Sequence, residues 1–192
     1  MFMHFPNIAA FARAILLGFI MTTHATNTPA EQVKPLANDY VAIFESPDPQ
    51  TVFLYSPGII RLDSGRLVAT TGVRGPEKMI RKWPGEVWGR PGRGDHWQGR
   101  VYTSDDGGKT WTLRTRFAFM HARPFVAGDS IYVLGHANDL TIIRSDDQGE
   151  TWSDPVKLTE GQHWHQAPCN VHYAHGNVYL VMERRLSFDI KT

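Results

Sequence analysis

Three stretches of the chain share one pattern, in which two short apolar runs flank a small polar turn. They cover residues 58–70, 123–135 and 169–182. Each turn contains a glycine, which supplies the positive φ that a tight hairpin needs. Further apolar runs at 100–103 and 140–144 predict a third strand after each of the first two hairpins. No extended stretch repeats apolar residues at helical spacing, so the pattern predicts an all-β fold.

Two eight-residue motifs of similar sequence follow these third strands. SDDGGKTW covers 104–111 and SDDQGETW covers 145–152, so the motifs begin 41 residues apart. This spacing is typical of the ~40–50 residues of a propeller blade. We interpret both motifs as structural turns, in which serine and aspartate oxygens accept bonds from backbone amides, a glycine takes positive φ and a tryptophan is buried. The residues assigned to these Asp-box turns are Ser104, Asp106, Gly108, Trp111, Ser145, Asp147, Gly149 and Trp152.

The number of repeats predicts how much of a propeller is present. A fourth strand is expected to open at Trp111 and at Trp152, which completes two four-stranded blades. The third hairpin ends near Glu183, so only part of a third blade precedes Thr192. Because a closed propeller needs roughly 4–8 blades, the sequence predicts an N-terminal fragment or truncated product that is inactive alone, unless several copies complete a ring. An open ring leaves an unpaired strand edge, which predicts self-association.

The N-terminal segment has the anatomy of a secretory signal. Arg13 precedes an apolar run over 14–21, and Thr23 and Ala25 suit a signal peptidase. The alternative, a membrane anchor, is disfavoured because the run is far shorter than the ~20 residues that span a bilayer. The protein is therefore expected to be secreted or periplasmic. The predicted divisions are a signal peptide at 1–25, a lead-in at 26–50 and a partial propeller at 51–192.

Composition argues against several kinds of partner. Removal of residues 1–25 takes away one arginine and no acidic residue, which lowers the formal net charge from +1 to zero. A neutral chain gives no electrostatic reason to expect nucleic acid or an anionic membrane as a partner, and no membrane span is expected in the mature chain. Cys169 is the only cysteine, so an internal disulfide is excluded.

With two Asp boxes at blade spacing, the chain resembles the sialidase (neuraminidase) superfamily over residues 55–183. The resemblance implies a six-bladed propeller that cleaves terminal sialic acids with retention and needs neither metal nor cofactor. It further implies three arginines that clamp the substrate carboxylate, an aspartate acid/base, and a tyrosine nucleophile assisted by a glutamate. Guanidinium groups suit this substrate because they bind a carboxylate through two parallel bonds.

Only some of those residues have counterparts here. Residues 55–58 read Tyr-Ser-Pro-Gly where the family has a motif like Tyr-Arg-Ile-Pro, so Ser56 replaces the first arginine. Arg74 aligns with an arginine that follows the family's second strand. Asp95 lies nine residues before the first Asp box and is the acid/base candidate, with Trp97 beside it as a substrate contact. The alternative for Asp95 is a solvated loop carboxylate. The other family residues would lie in later blades.

Side chains at the starts of the second and third hairpins allow a second interpretation. His121 and Arg123 precede one hairpin, and His163 and His165 precede the other. A histidine with a pKa near ~6.5 suits proton abstraction beside a uronate carboxylate that an arginine neutralises, which is lyase chemistry. The alternatives are surface histidines without a role, and a zinc site of His163 and His165 with His121 or His172. No metal-ligand motif supports zinc, and we predict neither a metal nor a cofactor.

The leading hypothesis is a secreted sialidase-like glycoside hydrolase that removes a terminal sialic acid or a related acidic sugar from glycans. The alternatives are a propeller polysaccharide lyase that acts on uronate-containing polysaccharide and a non-catalytic glycan-binding propeller. A glycan is the expected partner in all three. The predicted substrate-binding residues are Arg74, Arg123, His121, His165 and Trp97.

Overall fold

A computed structural model of the chain describes residues 39–89 and 92–186, apart from the side chains of 166–170. The expected signal peptide at 1–25 and the first part of the expected lead-in lie outside the described residues. The described chain consists mainly of antiparallel strands.

The first blade is an antiparallel sheet whose four main strands follow one another along the chain. Its elements are β1 (Phe53–Arg61), β2 (Leu67–Pro76), α1 (Glu77–Ile80), β3 (Trp88–Gly89), β4 (Asp95–Ser104) and β5 (Thr112–Phe117). The strand order is β1-β2-β4-β5, and the short β3 pairs with the first part of β4.

No helix in the described ranges is long and apolar enough to cross a bilayer.

The second blade repeats this arrangement, and a hairpin follows it. The elements are β6 (Met120–Ala127), β7 (Ser130–Ala137), β8 (Asp139–Ser145), β9 (Val156–Lys157), β10 (His163–Ala174) and β11 (Asn177–Arg185). Strands β6 to β9 form a four-stranded sheet in sequence order, and β10 pairs with β11. The fold is therefore all-β, with two four-stranded propeller blades and the first hairpin of a third, as the sequence predicts.

Strand β4 is longer than the sequence pattern indicates. It begins at Asp95, not at residue 100, because β2 extends to Pro76 and the two strands pair residue by residue from Leu67↔Ser104 to Pro76↔Asp95. The expectation that Asp95 lies in a loop is therefore wrong. Its backbone is fixed by a sheet, which places the carboxylate at one end of the first blade.

Two other strand boundaries also differ from expectation. β10 begins at His163, so His163 and His165 lie within the strand and pair with β11, not ahead of it. β9 begins at Val156 and not at Trp152. Pro155 directly precedes it and has no amide hydrogen to donate to a ladder, which delays the outer strand.

The two Asp-box turns are held by similar sets of hydrogen bonds. In the first turn, Ser104 Oγ donates to Asp106 Oδ1 at 2.8 Å and accepts a bond from the amide of Gly108 at 2.9 Å. Asp106 accepts two further amides of the turn at 2.9 Å, and Trp111 Nε1 donates to Gly108 O at 3.0 Å. Within 145–152, Ser145, Gly149 and Trp152 make the corresponding bonds, while the Asp147 carboxylate accepts the amide of Thr151 and the amide of Glu150 donates to Asp147 O instead.

These bonds stabilise the ionised form of each turn aspartate. The hydroxyl and amide of Thr151, followed by the hydroxyl of Ser145, lower the pKa of Asp147 to about 2. The bonds from Thr110 and Ser104 hold the pKa of Asp106 well below its ordinary range. The turns therefore depend on charged carboxylates.

An arginine network joins the two turns. Arg66 Nε lies 2.6 Å from Asp105 Oδ1, and Arg66 Nη1 lies 2.5 Å from Glu150 Oε1. Arg114 Nη1 pairs with the other oxygen of Glu150 at 2.5 Å. Because Asp105 belongs to the first turn and Glu150 to the second, both turns lie at the same end of the blades.

The main core lies between the two complete sheets. Val68 and Val101 come from the first sheet and Ile143 from the second, and each is at most 2% exposed. Phe117 and Phe119, at the connection between the sheets, stack with ring centroids 4.1 Å apart. The blades are therefore packed face to face on apolar side chains.

The opposite face of the first sheet carries a buried charge. Arg100 is 2% exposed, and its guanidinium carbon lies 4.3 Å from the ring centres of both Phe44 and Trp83. Its Nε and Nη2 atoms have no hydrogen-bond partner among the described residues. Burial lowers the pKa of the Arg100 guanidinium, while a bond to Tyr102 acts in the opposite direction. Two aromatic rings thus hold this cation on the far face of β4.

The third hairpin carries large exposed apolar side chains. Tyr173, Tyr179 and Val181 are 54%, 50% and 68% exposed. The hairpin nevertheless contacts the second blade, since the amide of Val126 donates to Tyr173 Oη at 3.1 Å.

Candidate functional site

A cavity of about 370 Å³ lies where the first strands of the two blades and of the third hairpin, β1, β6 and β10, meet. The strands β1 and β6 each contribute two side chains and β10 contributes one, and β2 and β4 supply the charged side chains Arg74 and Asp95. It is lined by Phe53, Tyr55, Arg74, Arg93, Asp95, Trp97, Met120, His121 and His165. The sequence-predicted residues Arg74, Asp95, Trp97, His121 and His165 are therefore brought together.

Arg74 and Asp95 form an ion pair in this cavity. Arg74 Nε donates to Asp95 Oδ2 at 3.1 Å, and Arg74 Nη2 donates to the same oxygen over a shorter distance. The side chains are 46% and 34% exposed, so a ligand can reach both. The Arg74 guanidinium lies 5.4 Å from the centre of the Trp97 ring, which packs against Trp88 at 5.1 Å. The packed rings of Trp97 and Trp88 thus support the guanidinium of Arg74.

The ring of Tyr55 lies over the neighbouring strand β2, and this residue was given no site role from the sequence. It pairs with Gly72, where an added β-carbon would lie 2.7 Å from Tyr55 Cζ, so only glycine leaves room for the ring. The hydroxyl is buried and has no hydrogen-bond partner among the described residues. Burial raises the pKa of Tyr55, and the charge of Arg74 acts in the opposite direction. The phenol is therefore a neutral hydrogen-bond donor at ordinary pH.

Ser56 and His121 meet across the junction of the first two blades. The Oγ atom of Ser56 lies 2.8 Å from Nδ1 of His121. Both residues have positive φ, 48° for Ser56 and 55° for His121. Sequence reasoning singled out both but did not connect them, because 65 positions separate them along the chain.

Further imidazole rings surround His121. Its ring stacks on His136 with centroids 5.3 Å apart, and the ring of His165 lies 5.8 Å away. His165 Nδ1 lies 3.2 Å from Glu183 Oε2. The pKa of Glu183 is lowered mainly by its bond to Arg185 and to a smaller extent by its bond to His165. His136 is 1% exposed and was missed, because a lone histidine in a strand gives no sequence signal.

Arg123 lies elsewhere, so the predicted grouping of Arg123 with His121 is not reproduced. Its Nη1 atom donates to Pro57 O, and the side chain lines a separate apolar cavity of about 610 Å³ on the other side of β1. Space is tight there, since a β-carbon at Gly58 would lie 3.0 Å from Arg123 Cδ. Among residues 39–89 and 92–186, no three histidine, cysteine or acidic side chains are arranged to hold a metal ion.

Comparison with known proteins gives distant structural likenesses. No family model and no curated protein matches the sequence. An α-L-arabinanase of Penicillium chrysogenum, solved with arabinobiose, is 19% identical with a TM-score of 0.48, over 71% of this chain and 42% of that one. A Dyadobacter fermentans protein of unknown function is 12% identical with a TM-score of 0.28, over 57% of this chain and 52% of that one.

An α-L-arabinofuranosidase of Fusarium graminearum, solved with an iminosugar inhibitor, is 13% identical with a TM-score of 0.30. The match covers 73% of this chain and 63% of that one. The chain thus spans less than two thirds of each of these neighbours. At such identities and TM-scores the likenesses assign no residue roles, and neither of the two enzymes named is a sialidase.

Proposed function

We propose that the chain forms part of an exported, glycan-processing propeller of the sialidase type, which removes a terminal acidic sugar. The observation that carries the proposal is the pairing of Arg74 with Asp95 in one accessible cavity, above the ring of Trp97. Export rests on the signal-like segment 1–25. The two Asp boxes support the sialidase-type scaffold and take no part in the chemistry.

The ion pair supplies the two functions that cleavage of an acidic sugar needs. The carboxylate of the sugar competes with Asp95 for the guanidinium of Arg74, which binds carboxylates through parallel bonds. Once displaced from Arg74, the Asp95 carboxylate can take up a proton from solvent and pass it to the glycosidic oxygen of the leaving alcohol as that bond breaks.

Turnover of an aryl sialoside by the full-length protein tests the proposal. We expect Asp95→Asn, which keeps an acceptor for Arg74, to lower kcat by about 10²–10⁴-fold with little change in KM. Arg74→Lys keeps the charge but loses the fork, so KM should rise about tenfold. Asp146→Asn is the matched control, because Asp146 pairs with Arg144 at 2.6 Å on the surface. No turnover of sialosides or other aryl glycosides of acidic sugars by the unmodified protein would contradict the proposal.

A uronate lyase is the second candidate, and the observation that favours it is the clustering of a tyrosine and two histidines. The ring of Tyr55 lies 5.2 Å from that of His121, and His165 lines the same cavity. Such groups suit abstraction of a proton beside a carboxylate that Arg74 neutralises. Ultraviolet absorbance of an unsaturated product from a polyuronate would identify the lyase. Glycan binding without either reaction would instead indicate a binding module.

A further inference from the structure

Arg93 is a second arginine of the cavity that holds the ion pair. It lies two residues before the start of β4, is exposed, and lines the cavity together with Arg74 and Asp95. Within residues 39–89 and 92–186, no carboxylate pairs with its guanidinium and no acceptor is hydrogen bonded to it. Arg93 therefore presents a cation whose hydrogen-bonding capacity is open to a ligand.

The glycines on either side of Arg93 are not packed against other parts of the described chain. A β-carbon at Gly92 or at Gly94 would have no heavy atom within 4 Å beyond the adjoining residues. The next residue, Asp95, is held in the sheet by its pairing with Pro76. The side chain of Arg93 thus lies at the opening of the cavity, beside a fixed strand and with space around it.

The charges that line the cavity do not balance. Arg74 and Asp95 neutralise each other as an ion pair, which leaves the charge of Arg93 uncompensated. Glu183 of β11, which contacts a histidine of the cavity, is already paired with Arg185 at 2.7 Å. The lining therefore carries one excess positive charge before a substrate binds.

The excess charge remains when an acidic sugar is bound for reaction. The carboxylate of the sugar then takes the place of Asp95 at Arg74, and Asp95 takes up a proton. Two guanidinium groups consequently face a single carboxylate. A second anionic group on the substrate would complete the electrostatic complementarity that gives a binding site its specificity.

The volume of the cavity indicates where that second group lies on the substrate. At about 370 Å³ the cavity is at the lower end of the ~300–1,000 Å³ that ligand pockets span. It accommodates a terminal sugar at Arg74 and leaves the next sugar at the opening, beside Arg93. A guanidinium at this place can bind a carboxylate of the next sugar through two parallel bonds.

We propose that Arg93 binds the carboxylate of the sugar that follows the terminal one, so that the preferred substrate is a glycan with two adjacent acidic sugars. The inference rests on the proposed function, because the first acidic sugar has to occupy the cavity at Arg74. Arg93 is then a specificity-determining residue, which selects the glycan through a charge that lies outside the bond to be cleaved.

A matched pair of substrates isolates the second charge. One is a dimer of sialic acid, and the other is the same dimer with the carboxylate of its second sugar converted to a methyl amide. Because the linkage is the same in both, the ratio of their kcat/KM values reports the contribution of that charge. For the full-length protein we expect a preference of about fivefold for the dimer, as for a well-formed accessible ion pair. The preference should decrease as salt is added, since exposed charges are screened.

The variants show whether Arg93 is the source of the preference. Arg93→Gln should lower the ratio to about one, and Arg93→Lys, which keeps the charge but loses the fork, should give an intermediate ratio. Arg61→Gln is the matched control, because Arg61 is also exposed and ends β1, whereas Phe53 at the start of that strand lines the cavity. Arg61→Gln should keep the fivefold ratio.

Two results would overturn this inference and leave the proposed function intact. One is a ratio near one for the unmodified protein, and the other is a ratio that stays about fivefold in Arg93→Gln. In both cases turnover of the amide still demonstrates removal of a single terminal acidic sugar. Absence of turnover of both substrates by the unmodified protein would overturn the inference and the proposed function together.

Discussion

Arg100 allows a direct test of what a buried charge does in this sheet. Its side chain is 2% exposed between the rings of Phe44 and Trp83, and two of its three guanidinium nitrogens have no hydrogen-bond partner among the described residues. We compare Arg100→Met, which keeps a long side chain between the rings, with Arg100→Ala, which leaves the space empty. The two variants lose the same charge and differ in packing.

The two effects of the charge nearly offset each other. A desolvated cation over an aromatic face contributes about 2 kcal/mol, and Arg100 contacts two faces. Burial of an ion costs several kcal/mol, and this cost is larger when its nitrogens have no hydrogen-bond partner. Replacement by Met removes both contributions and adds a sulfur–aromatic contact of about 0.3–1.5 kcal/mol. Arg100→Met should therefore lie within about 1 kcal/mol of the unmodified protein, whereas the cavity left by Arg100→Ala should cost about 2–5 kcal/mol.

Urea unfolding at neutral pH, with free energies extrapolated to zero denaturant, measures both variants. The reasoning requires Arg100→Met to be more stable than Arg100→Ala by at least about 1 kcal/mol, with similar slopes. If Arg100→Met loses as much stability as Arg100→Ala, the charge itself stabilises the sheet, and the balance worked out above is refuted. Arg100→Lys should be less stable than Arg100→Met, because an ammonium is more strongly hydrated than a guanidinium.

Two further predictions concern the core and the Asp boxes. A β-carbon at Gly99 would lie 1.8 Å from the Phe117 ring, so Gly99→Ala should lower stability by about 1–3 kcal/mol or more in thermal unfolding, while Gly94→Ala, with open space around it, should have little effect. The pKa of Asp147 is lowered to about 2 by its bonds within the turn, so its stabilising contribution is present above the unfolded pKa of ~3.9 and is lost as pH falls toward 2. Asp147→Asn should consequently show a smaller fall of the urea midpoint between pH 5 and pH 2.5 than the unmodified protein, and an equal fall would contradict this assignment.

The blades were predictable because their signals are local. Each Asp box is held by hydrogen bonds that span at most four residues, so the sequence itself carries the geometry of the turn. The hairpin glycines act over similarly short distances, as the positive φ of Gly65 and Gly128 illustrates. Strand lengths were less predictable, because β4 is extended by its pairing with β2 and not by its own composition.

Sequence reasoning could single out individual residues of the candidate site but not the contacts between them. Arg74 and Asp95 were singled out from the resemblance to the sialidases, and the two side chains form an ion pair. The contact of Ser56 with His121 depends on bulges in two separate strands, and no periodicity reveals a bulge. The place of Tyr55 depends on the absence of a side chain at its cross-strand neighbour, which becomes apparent only once the register is known.

The ten residues of β4 begin at Asp95 and end at Ser104. At ~3.3 Å per residue the two ends of the strand lie about 30 Å apart, so the Asp-box turn and the Asp95 carboxylate are too far apart to contact each other. Side chains at the cavity end can therefore be substituted without disturbing the hydrogen bonds of the turn. Such a blade is a modular part for protein engineering, in which new specificities can be installed at one end while the other keeps the scaffold intact.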